Sequence, residues 1–223
     1  MKTKLFLNAL ARFVLGVVLV GLLLFVSAGT WKYPGAWLLM GLLFIPMFLG
    51  GVVLLFKDPE LLARRMKAKE EQGEQRKVIA LSGLMFIGGF VLAGLDYRYH
   101  ILPLPSVVSY VAAVALLLAY ILYAEVLREN RYLSRTIEVA KGQKVVDTGL
   151  YGLVRHPMYS ATILLFLSIP LVLGSGLSTI VFLFYLPIII KRIYGEEKLL
   201  EKELEGYPEY QKKVKYRLLP FVW

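Results

Sequence analysis

Residues 156–190 read HPMYSATILLFLSIPLVLGSGLSTIVFLFYLPIII, a run of 35 residues without Asp, Glu, Lys or Arg. One membrane-spanning helix needs only about 20 apolar residues, so this run is long enough for two passes. Pro170 and the Gly-Ser-Gly sequence at 174–176 interrupt it, which predicts two short helices over about 157–173 and 177–193. The sequence therefore predicts a helical hairpin inside a membrane.

Four more apolar runs precede this hairpin, and each has the length of one membrane-spanning helix. They occupy residues 13–31, 33–56, 78–95 and 99–124. We therefore expect an all-α, polytopic membrane protein of about six transmembrane helices, with five as the close alternative. Residues 1–127 would form the first four helices and a cytoplasmic connector at 57–77. Residues 128–223 would form a polar cytoplasmic loop, the hairpin and a C-terminal cytoplasmic helix.

The composition excludes an ordinary soluble domain and several kinds of site. The chain is 58% hydrophobic and 19% charged, with a mean hydropathy of +0.64, whereas soluble domains are about one quarter charged. Because Cys is absent, disulfides, Cys-ligated metals and a Cys nucleophile are excluded. With only two His in the chain, we expect no metal site.

The net charge of +10 is distributed unevenly along the chain. The N-terminal tail, residues 57–77, residues 128–155 and the stretch after 190 hold 24 of the 26 Lys and Arg residues. The positive-inside rule places these segments and both termini in the cytoplasm, which requires an even number of spans and favours six. The basic excess therefore predicts contact with anionic membrane lipids, and we expect no nucleic-acid partner.

A long polar segment separates the fourth apolar run from the hairpin. Gly149 and Gly152 permit a tight backbone path, and Pro157 is placed to begin a helix. Arg155 and His156 then lie at a helix N-terminus, whose free N–H groups favour an anionic group. Two interpretations stay open: these residues bind a ligand, or they mark the membrane interface and cap the helix.

Charged residues beside the apolar runs allow similar pairs of interpretations. Arg192 and Glu196 are four residues apart and therefore share one helix face. They form either an exposed ion pair or a pair of groups that orients a substrate. The Asp-Pro-Glu sequence at 58–60 predicts the start of a short helix, which is either a plain connector or part of a substrate mouth. We expect Glu125 to pair with Arg128, although an intramembrane acid can also be functional.

Asp96 lies at the edge of the third apolar run, two residues before Arg98. We expect these two side chains to form an ion pair.

Three ordered motifs carry a resemblance to a known family. They are Gly149-x-Tyr151-x-x-x-Arg155-His156-Pro157-x-Tyr159, Arg192-x-x-x-Glu196-Glu197 and Gly206-Tyr207-x-x-Tyr210. This pattern resembles the isoprenylcysteine carboxyl methyltransferase family, which belongs with the integral-membrane phospholipid and protein methyltransferases. The resemblance is most specific over 128–223, and the segments 58–62 and 214–220 are similar to prokaryotic members. It therefore implies a prokaryotic cell membrane, with the active site on the cytoplasmic side.

The resemblance implies S-adenosylmethionine as the cofactor, in a pocket closed by the last helices and the polar loop. The matching cofactor positions are Thr136, Gln143, Lys144, Val145, Val146, Tyr151, His156, Pro157, Met158, Tyr159 and Glu196. It also implies that Arg192 binds the substrate and that Arg192 and Glu196 are the catalytic residues. The chain departs from the family at 160–161, where Ser-Ala replaces a glycine that many members have.

Three functions stay open at this point. The first is a methyltransferase acting on a carboxylate, amine or thiol of a lipophilic, prenyl- or lipid-like acceptor. The second is a membrane reductase that uses NADPH, because sterol reductases have a similar C-terminal architecture. Its cofactor would need more Arg or Lys around 128–156 than the sequence provides. The third is a non-catalytic transport or assembly protein, against which the apolar runs contain almost no polar residue to line a pathway.

Overall fold

The computed structural model describes residues 2–66 and 73–223, in which helices dominate. Within these residues there are nine α-helices and one short 3₁₀ helix, and no β-strand is formed. They are α1 (Lys2–Ala28), α2 (Pro34–Lys57), α3 (Pro59–Arg65), α4 (Gly73–Tyr99), α5 (Ser106–Glu129), the 3₁₀ helix (Gly149–Gly152), α6 (Pro157–Val172), α7 (Gly176–Leu183), α8 (Tyr185–Glu203) and α9 (Tyr207–Lys213). The predicted all-α class is confirmed.

Within the described residues, five helical segments are long and apolar enough to cross a membrane. They are Thr3–Ala28, Pro34–Lys57, Gln75–Tyr99, Ser106–Glu129 and Gly176–Glu203, the last of which joins α7 and α8. The apolar helix α6 has 16 residues, which at 1.5 Å per residue is about 24 Å, shorter than the roughly 30 Å hydrocarbon core. The protein is thus an integral, multi-pass membrane protein with five long apolar helices and α6 as a shorter apolar helix.

The helix α6 and the α7–α8 segment form the predicted hairpin. At one level the Tyr185 hydroxyl donates to Oγ1 of Thr162 at 2.9 Å. Further from the turn, the Tyr159 hydroxyl donates to Oε2 of Glu196 at 2.5 Å. Because earlier residues of α6 meet later residues of α8, the two arms run antiparallel. At the turn, Gly174 adopts the left-handed conformation, with φ +71°, which a side chain would disfavour.

One arm of the hairpin is divided between α7 and α8 at Phe184. Pro187 is the third residue of α8 and has no N–H group to continue a hydrogen-bond ladder from α7. The second part of the arm, α8, carries its charged residues, beginning at Lys191.

Asp96 anchors the hairpin turn to α4. Its side chain is buried, and Oδ2 accepts hydrogen bonds from the Ser175 hydroxyl at 2.5 Å and the Leu177 N–H at 3.3 Å. Oδ1 accepts from the Leu102 N–H at 2.6 Å. The predicted pair with Arg98 is therefore wrong, because the free N–H groups at the start of α7 provide buried donors to this carboxylate.

The helix α3 begins as the sequence predicts. Oδ1 of Asp58 accepts a hydrogen bond from the Leu61 N–H at 3.0 Å, and Pro59 occupies the first helical position. At the other end, Nη1 of Arg65 donates to the Ser134 carbonyl at 3.0 Å, so α3 packs against the polar loop. Residues 67–72 of the predicted connector lie outside the described residues.

The polar loop runs from the end of α5 to the 3₁₀ helix. Near its start Glu125 pairs with Arg128, as predicted, with 2.8 Å between Oε2 and Nε. Both carboxylate oxygens of Glu129 accept from the Leu150 N–H, at 3.0 and 3.2 Å, and this ties the two ends of the loop together. The predicted C-terminal helix is present as α9, and the proposed division at residue 127 stays a prediction.

Candidate functional site

A cavity of about 640 Å³ lies where the polar loop meets the end of α5, the start of α6 and the middle of α8. Eleven of the twelve residues selected from the sequence line it. They are Thr136, Gln143, Lys144, Val145, Val146, Tyr151, His156, Met158, Tyr159, Arg192 and Glu196. The twelfth, Pro157, occupies the first turn of α6, the helix that carries Met158 and Tyr159 and has His156 as its N-cap. The residues are thus brought together, and their individual roles stay predictions.

A hydrogen-bonded chain of three side chains crosses the centre of this cavity. Nε of Arg192 donates to the hydroxyl oxygen of Tyr159 at 3.1 Å, and this hydroxyl donates to Oε2 of Glu196 at 2.5 Å. Nη2 of Arg192 also donates to the Arg135 carbonyl at 2.7 Å. The four-residue spacing places Arg192 and Glu196 on one face of α8, as expected, and Tyr159 fixes their relative position.

Beside the cavity, a buried ion network surrounds Glu197. Oε1 of this carboxylate is 2.9 Å from Nε of Arg155 and 3.2 Å from Nε2 of His156. Oε2 accepts from Nε of Arg217 at 2.9 Å. Two guanidinium groups and an imidazole therefore hold one carboxylate that is almost fully buried.

The sequence motif contained Glu197 without a role, and for Arg155 it left two interpretations open. Consecutive helical residues are about 100° apart around the axis, so two neighbouring acids on α8 point in different directions. Glu196 faces the cavity and Glu197 faces the packed interior. That difference in direction was the available signal for a second, structural carboxylate.

Arg155 joins the start of α6 to the C-terminal segment. Its Nη1 donates to the carbonyls of Val214 at 2.8 Å and Lys215 at 2.9 Å, and its backbone N–H donates to the Tyr216 carbonyl at 2.8 Å. The side chain is only 6% exposed. The charge of Arg155 is therefore satisfied inside the protein, and its role at the membrane interface or toward a ligand stays a prediction.

Three tyrosines form an aromatic compartment at the polar end of the cavity: Tyr151, Tyr207 and Tyr210. The Tyr210 hydroxyl donates to the Tyr151 carbonyl at 2.7 Å. The Tyr207 side chain is buried, and among the described residues its hydroxyl has no hydrogen-bond partner. Burial raises the pKa of Tyr207, and the charges of Glu197 and Glu196 raise it further. Its hydroxyl is therefore a neutral donor in reach of the cavity.

The opposite end of the cavity is apolar and lies among the membrane-spanning helices. It is lined by Leu43, Met47, Ile79, Phe86, Phe166 and Ile188. These residues come from α2, α4, α6 and α8. The cavity thus has an aromatic polar end, a charged centre and an apolar end in the membrane region.

Comparison with known proteins agrees with the motif resemblance over the segment that builds this site. The family model described as "Isoprenylcysteine carboxyl methyltransferase (ICMT) family" matches residues 110–202. The chain is also 32% identical over 91 residues to the delta(14)-sterol reductase of Mus musculus. That match covers 40% of this chain and only 22% of the relative, so the chain spans about a fifth of the relative's length. The residues matched by the family model contain the charged centre of the cavity, so the chain is similar to this family over the segment that builds its site.

Proposed function

We propose that this protein is an S-adenosylmethionine-dependent methyltransferase that modifies a carboxylate on a lipophilic acceptor. The observation that carries the proposal is the chain of Arg192, Tyr159 and Glu196, placed between an aromatic and an apolar end of one cavity. The family match over the same residues supports it.

The residues at the polar end fit this cofactor. S-adenosylmethionine presents a cationic sulfonium, an ammonium, a carboxylate and an adenine ring. Glu196 offers a carboxylate for a cationic group, and the Tyr207 hydroxyl offers a buried donor that has no protein partner among the described residues. Tyr151 and Tyr210 can enclose an aromatic ring. Together with the predicted loop positions, these side chains would hold the cofactor.

The charged centre would position the acceptor. Arg192 presents a guanidinium that can hold a carboxylate in a defined orientation. When bound, the cofactor supplies a methyl group that is already activated, and an ionised carboxylate can accept it without a general base. The protein's contribution is then alignment and the exclusion of water, which the buried cavity walls can provide.

The apolar end would receive the acceptor's hydrophobic tail. Its lining residues come from membrane-spanning helices, so a lipid-like chain would pass from the bilayer to the charged centre without crossing water. We expect α6 to cross the bilayer together with the α7–α8 segment, which makes the number of crossings even. The basic loops then place both termini and the site on the cytoplasmic side.

A second candidate, a reductase that uses NADPH, is favoured by two observations. The matched relative is a sterol reductase. In addition, Arg65 and Arg192 line the cavity together with Arg135 and Lys144, so the fold adds cations from outside the polar loop to those that the loop contributes. Phosphate groups are well suited to such cations.

Calorimetric titration of the purified protein in neutral detergent distinguishes the two candidates. We expect S-adenosylmethionine to bind and NADPH to bind much more weakly. Glu196→Gln should weaken the binding of S-adenosylmethionine. The matched variant Glu201→Gln, at an exposed carboxylate on the same helix that accepts from Gln211, should leave it unchanged. Binding of NADPH without binding of S-adenosylmethionine would overturn the proposal.

A further inference from the structure

Residues 217–223 close into a compact turn, which we call the 217–223 turn. Three consecutive N–H groups donate to the Trp223 carbonyl at 2.9 to 3.2 Å, namely those of Arg217, Leu218 and Leu219. Three of its apolar side chains are largely exposed: Leu219 at 57%, Phe221 at 88% and Val222 at 76%. The backbone of the turn is thus held by internal hydrogen bonds, while the described protein leaves these side chains largely uncovered.

Phe221 is held in a conformation that bulky residues rarely adopt. Its φ is +65°, in the left-handed region that favours glycine. Such strain persists where surrounding contacts offset it. The ring of Phe221 lies 5.4 Å from that of Tyr216, between centroids, yet it is almost fully exposed. The strained backbone thus presents an aromatic ring outward, which is favourable when the ring is buried in an apolar medium outside the protein.

The 217–223 turn lies at the level where both arms of the hairpin leave the apolar run. The Ser160 hydroxyl, in the first turn of α6, donates to the Leu218 carbonyl at 2.6 Å. The ring of Trp223 lies 6.1 Å from that of Tyr194 on α8. Tyr194 is three residues after Lys191, the first charged residue beyond the apolar run. Because charged residues begin at the edge of the hydrocarbon core, this level is the boundary between acyl chains and headgroups.

Positive charge accompanies the turn. The guanidinium group of Arg217 lies over the rings of Tyr194 and Trp223, 5.1 and 5.3 Å from their centroids. Three exposed lysines lie near these residues along the chain: Lys191, Lys212 and Lys215. Cations combined with aromatic and aliphatic side chains are typical of a protein surface at an anionic membrane interface.

We infer that the 217–223 turn is an interfacial anchor, which inserts Leu219, Phe221 and Val222 into the lipid layer on the side of the polar loop. The occupant of this surface is lipid, because the turn continues the lipid-facing surface of the hairpin. Ile190 and Tyr194 are both exposed and lie four residues apart on one face of α8, and Tyr194 contacts the turn. The inference is independent of the proposed function.

The anchor would also act on the buried ion network. Arg217 belongs to the turn, and its Nε donates to Oε2 of Glu197 at 2.9 Å. Insertion of the neighbouring apolar side chains would therefore hold this arginine beside its carboxylate, so the bilayer would support the base of the cavity.

The test places a nitroxide label on the turn. The chain has no Cys, so one introduced Cys can be labelled specifically. The full chain, as Phe221→Cys or as Val222→Cys, is reconstituted in vesicles of phosphatidylcholine and phosphatidylglycerol. Electron paramagnetic resonance power saturation then compares collisions with oxygen, which concentrates among acyl chains, and with a water-soluble nickel chelate. We expect both labels to collide several-fold more with oxygen than with the chelate.

Two control positions set the scale of this measurement. Glu209→Cys, at an exposed residue of α9, should collide mainly with the nickel chelate. Val111→Cys, at an exposed residue of the spanning helix α5, should collide mainly with oxygen.

Two outcomes would overturn the inference. Labels at 221 and 222 that meet the nickel chelate as often as the label at 209 would show that the turn faces water. Labels shielded from both reagents would show that a protein surface, such as a second copy of the chain, covers the turn. Because Phe221→Cys removes the strained ring itself, the Val222→Cys label keeps the test decisive if that variant does not fold.

Discussion

Tyr159 on α6 donates a hydrogen bond to Glu196 on α8, with 2.5 Å between the hydroxyl oxygen and Oε2. This contact joins the two arms of the hairpin at the charged centre of the cavity. Because the same hydroxyl oxygen accepts from Nε of Arg192 at 3.1 Å, one side chain sets the distance between a fixed cation and a fixed anion.

Replacing this tyrosine tests whether its hydroxyl organises the site. Tyr159→Phe should raise the Kd for S-adenosylmethionine about tenfold, since a hydrogen bond to a charged group contributes about 1.5–3 kcal/mol. The measurement is calorimetric titration. Tyr33→Phe is the control, because its buried hydroxyl donates to the Leu173 carbonyl at 2.7 Å, near the hairpin turn. Equal affinity in the two variants would show that the Tyr159 hydroxyl is not needed.

The two charged residues of the centre should affect different steps. Glu196→Ala should weaken cofactor binding about tenfold, because it removes the carboxylate that faces the cavity. Arg192→Ala should chiefly lower the rate of methyl transfer to a lipophilic fraction, with cofactor affinity nearly kept. Transfer of a labelled methyl group measures the rate, and calorimetry measures the affinity. Full activity in both variants would refute the assignment of this site.

Glu197 should contribute mainly to the stability of the folded protein. Glu197→Gln leaves Arg155 and Arg217 without a buried counter-charge, and such a loss costs about 3–5 kcal/mol, equivalent to a melting temperature lower by at least about 6 °C. Thermal unfolding in detergent measures this change. Glu201→Gln, at an exposed carboxylate on the same helix, should shift the melting temperature by less than about 2 °C. A small shift for Glu197→Gln would contradict the buried ion network.

We expect substitution of Gly149 by Ala to destabilise the protein for two reasons, and a comparison with Gly142 separates them. It has φ +52°, and a Cβ there would overlap the Glu129 carboxylate. Gly142, with φ +71°, has no atom near the same position. Gly142→Ala should therefore cost only the strain of a left-handed residue, about 1–2 kcal/mol. Gly149→Ala should cost clearly more.

The extra cost of Gly149→Ala should depend on Glu129. In a double-mutant cycle with Glu129→Ala, thermal unfolding should show that the two substitutions are not additive. Additive effects would mean that the carboxylate does not occupy this space.

Asp96 should stabilise the hairpin turn independently of Arg98. Asp96→Ala removes the acceptor of three hydrogen bonds, from Ser175, Leu102 and Leu177, and should cost about 1–3 kcal/mol. Arg98→Ala should cost less, since the two residues do not form the ion pair that the sequence suggests. Thermal unfolding distinguishes these outcomes, and equal losses would restore the ion pair as the explanation.

The sequence was sufficient to predict the membrane-spanning helices, but it did not predict the residue at which the last of them is divided. Uninterrupted apolar runs specify spanning helices because a membrane admits few alternatives. The start of α3 at Asp58 and Pro59 was equally readable, since caps act through neighbouring residues. The division of the last arm at Phe184 was not predicted, because Pro187 lies within a run that is apolar throughout. Likewise, nothing local linked Asp96 to Ser175, which is 79 residues further along the chain.

In the candidate site too, contacts between residues that are distant in the sequence could not be predicted. Residues within one motif, such as His156 and Tyr159, could be selected from the resemblance to a family. Arg65 and Arg135 could not, because their convergence depends on how α3 packs against the loop. The Tyr207 hydroxyl was in a recognised motif, yet only the fold shows that it is buried beside the cavity without a described partner.

The backbone pairing between the start of α6 and the C-terminal segment has a consequence for biosynthesis. The N–H groups of Arg155 and His156 donate to the carbonyls of Tyr216 and Arg217, at 2.8 and 2.9 Å. All the spanning helices precede these carbonyls, so they can insert into the bilayer while residues 214–217 are still being synthesised. Until then Glu197 lacks one of its two arginines. A nascent chain is therefore embedded in the membrane before its cavity is complete, and it becomes competent only after translation has passed Arg217.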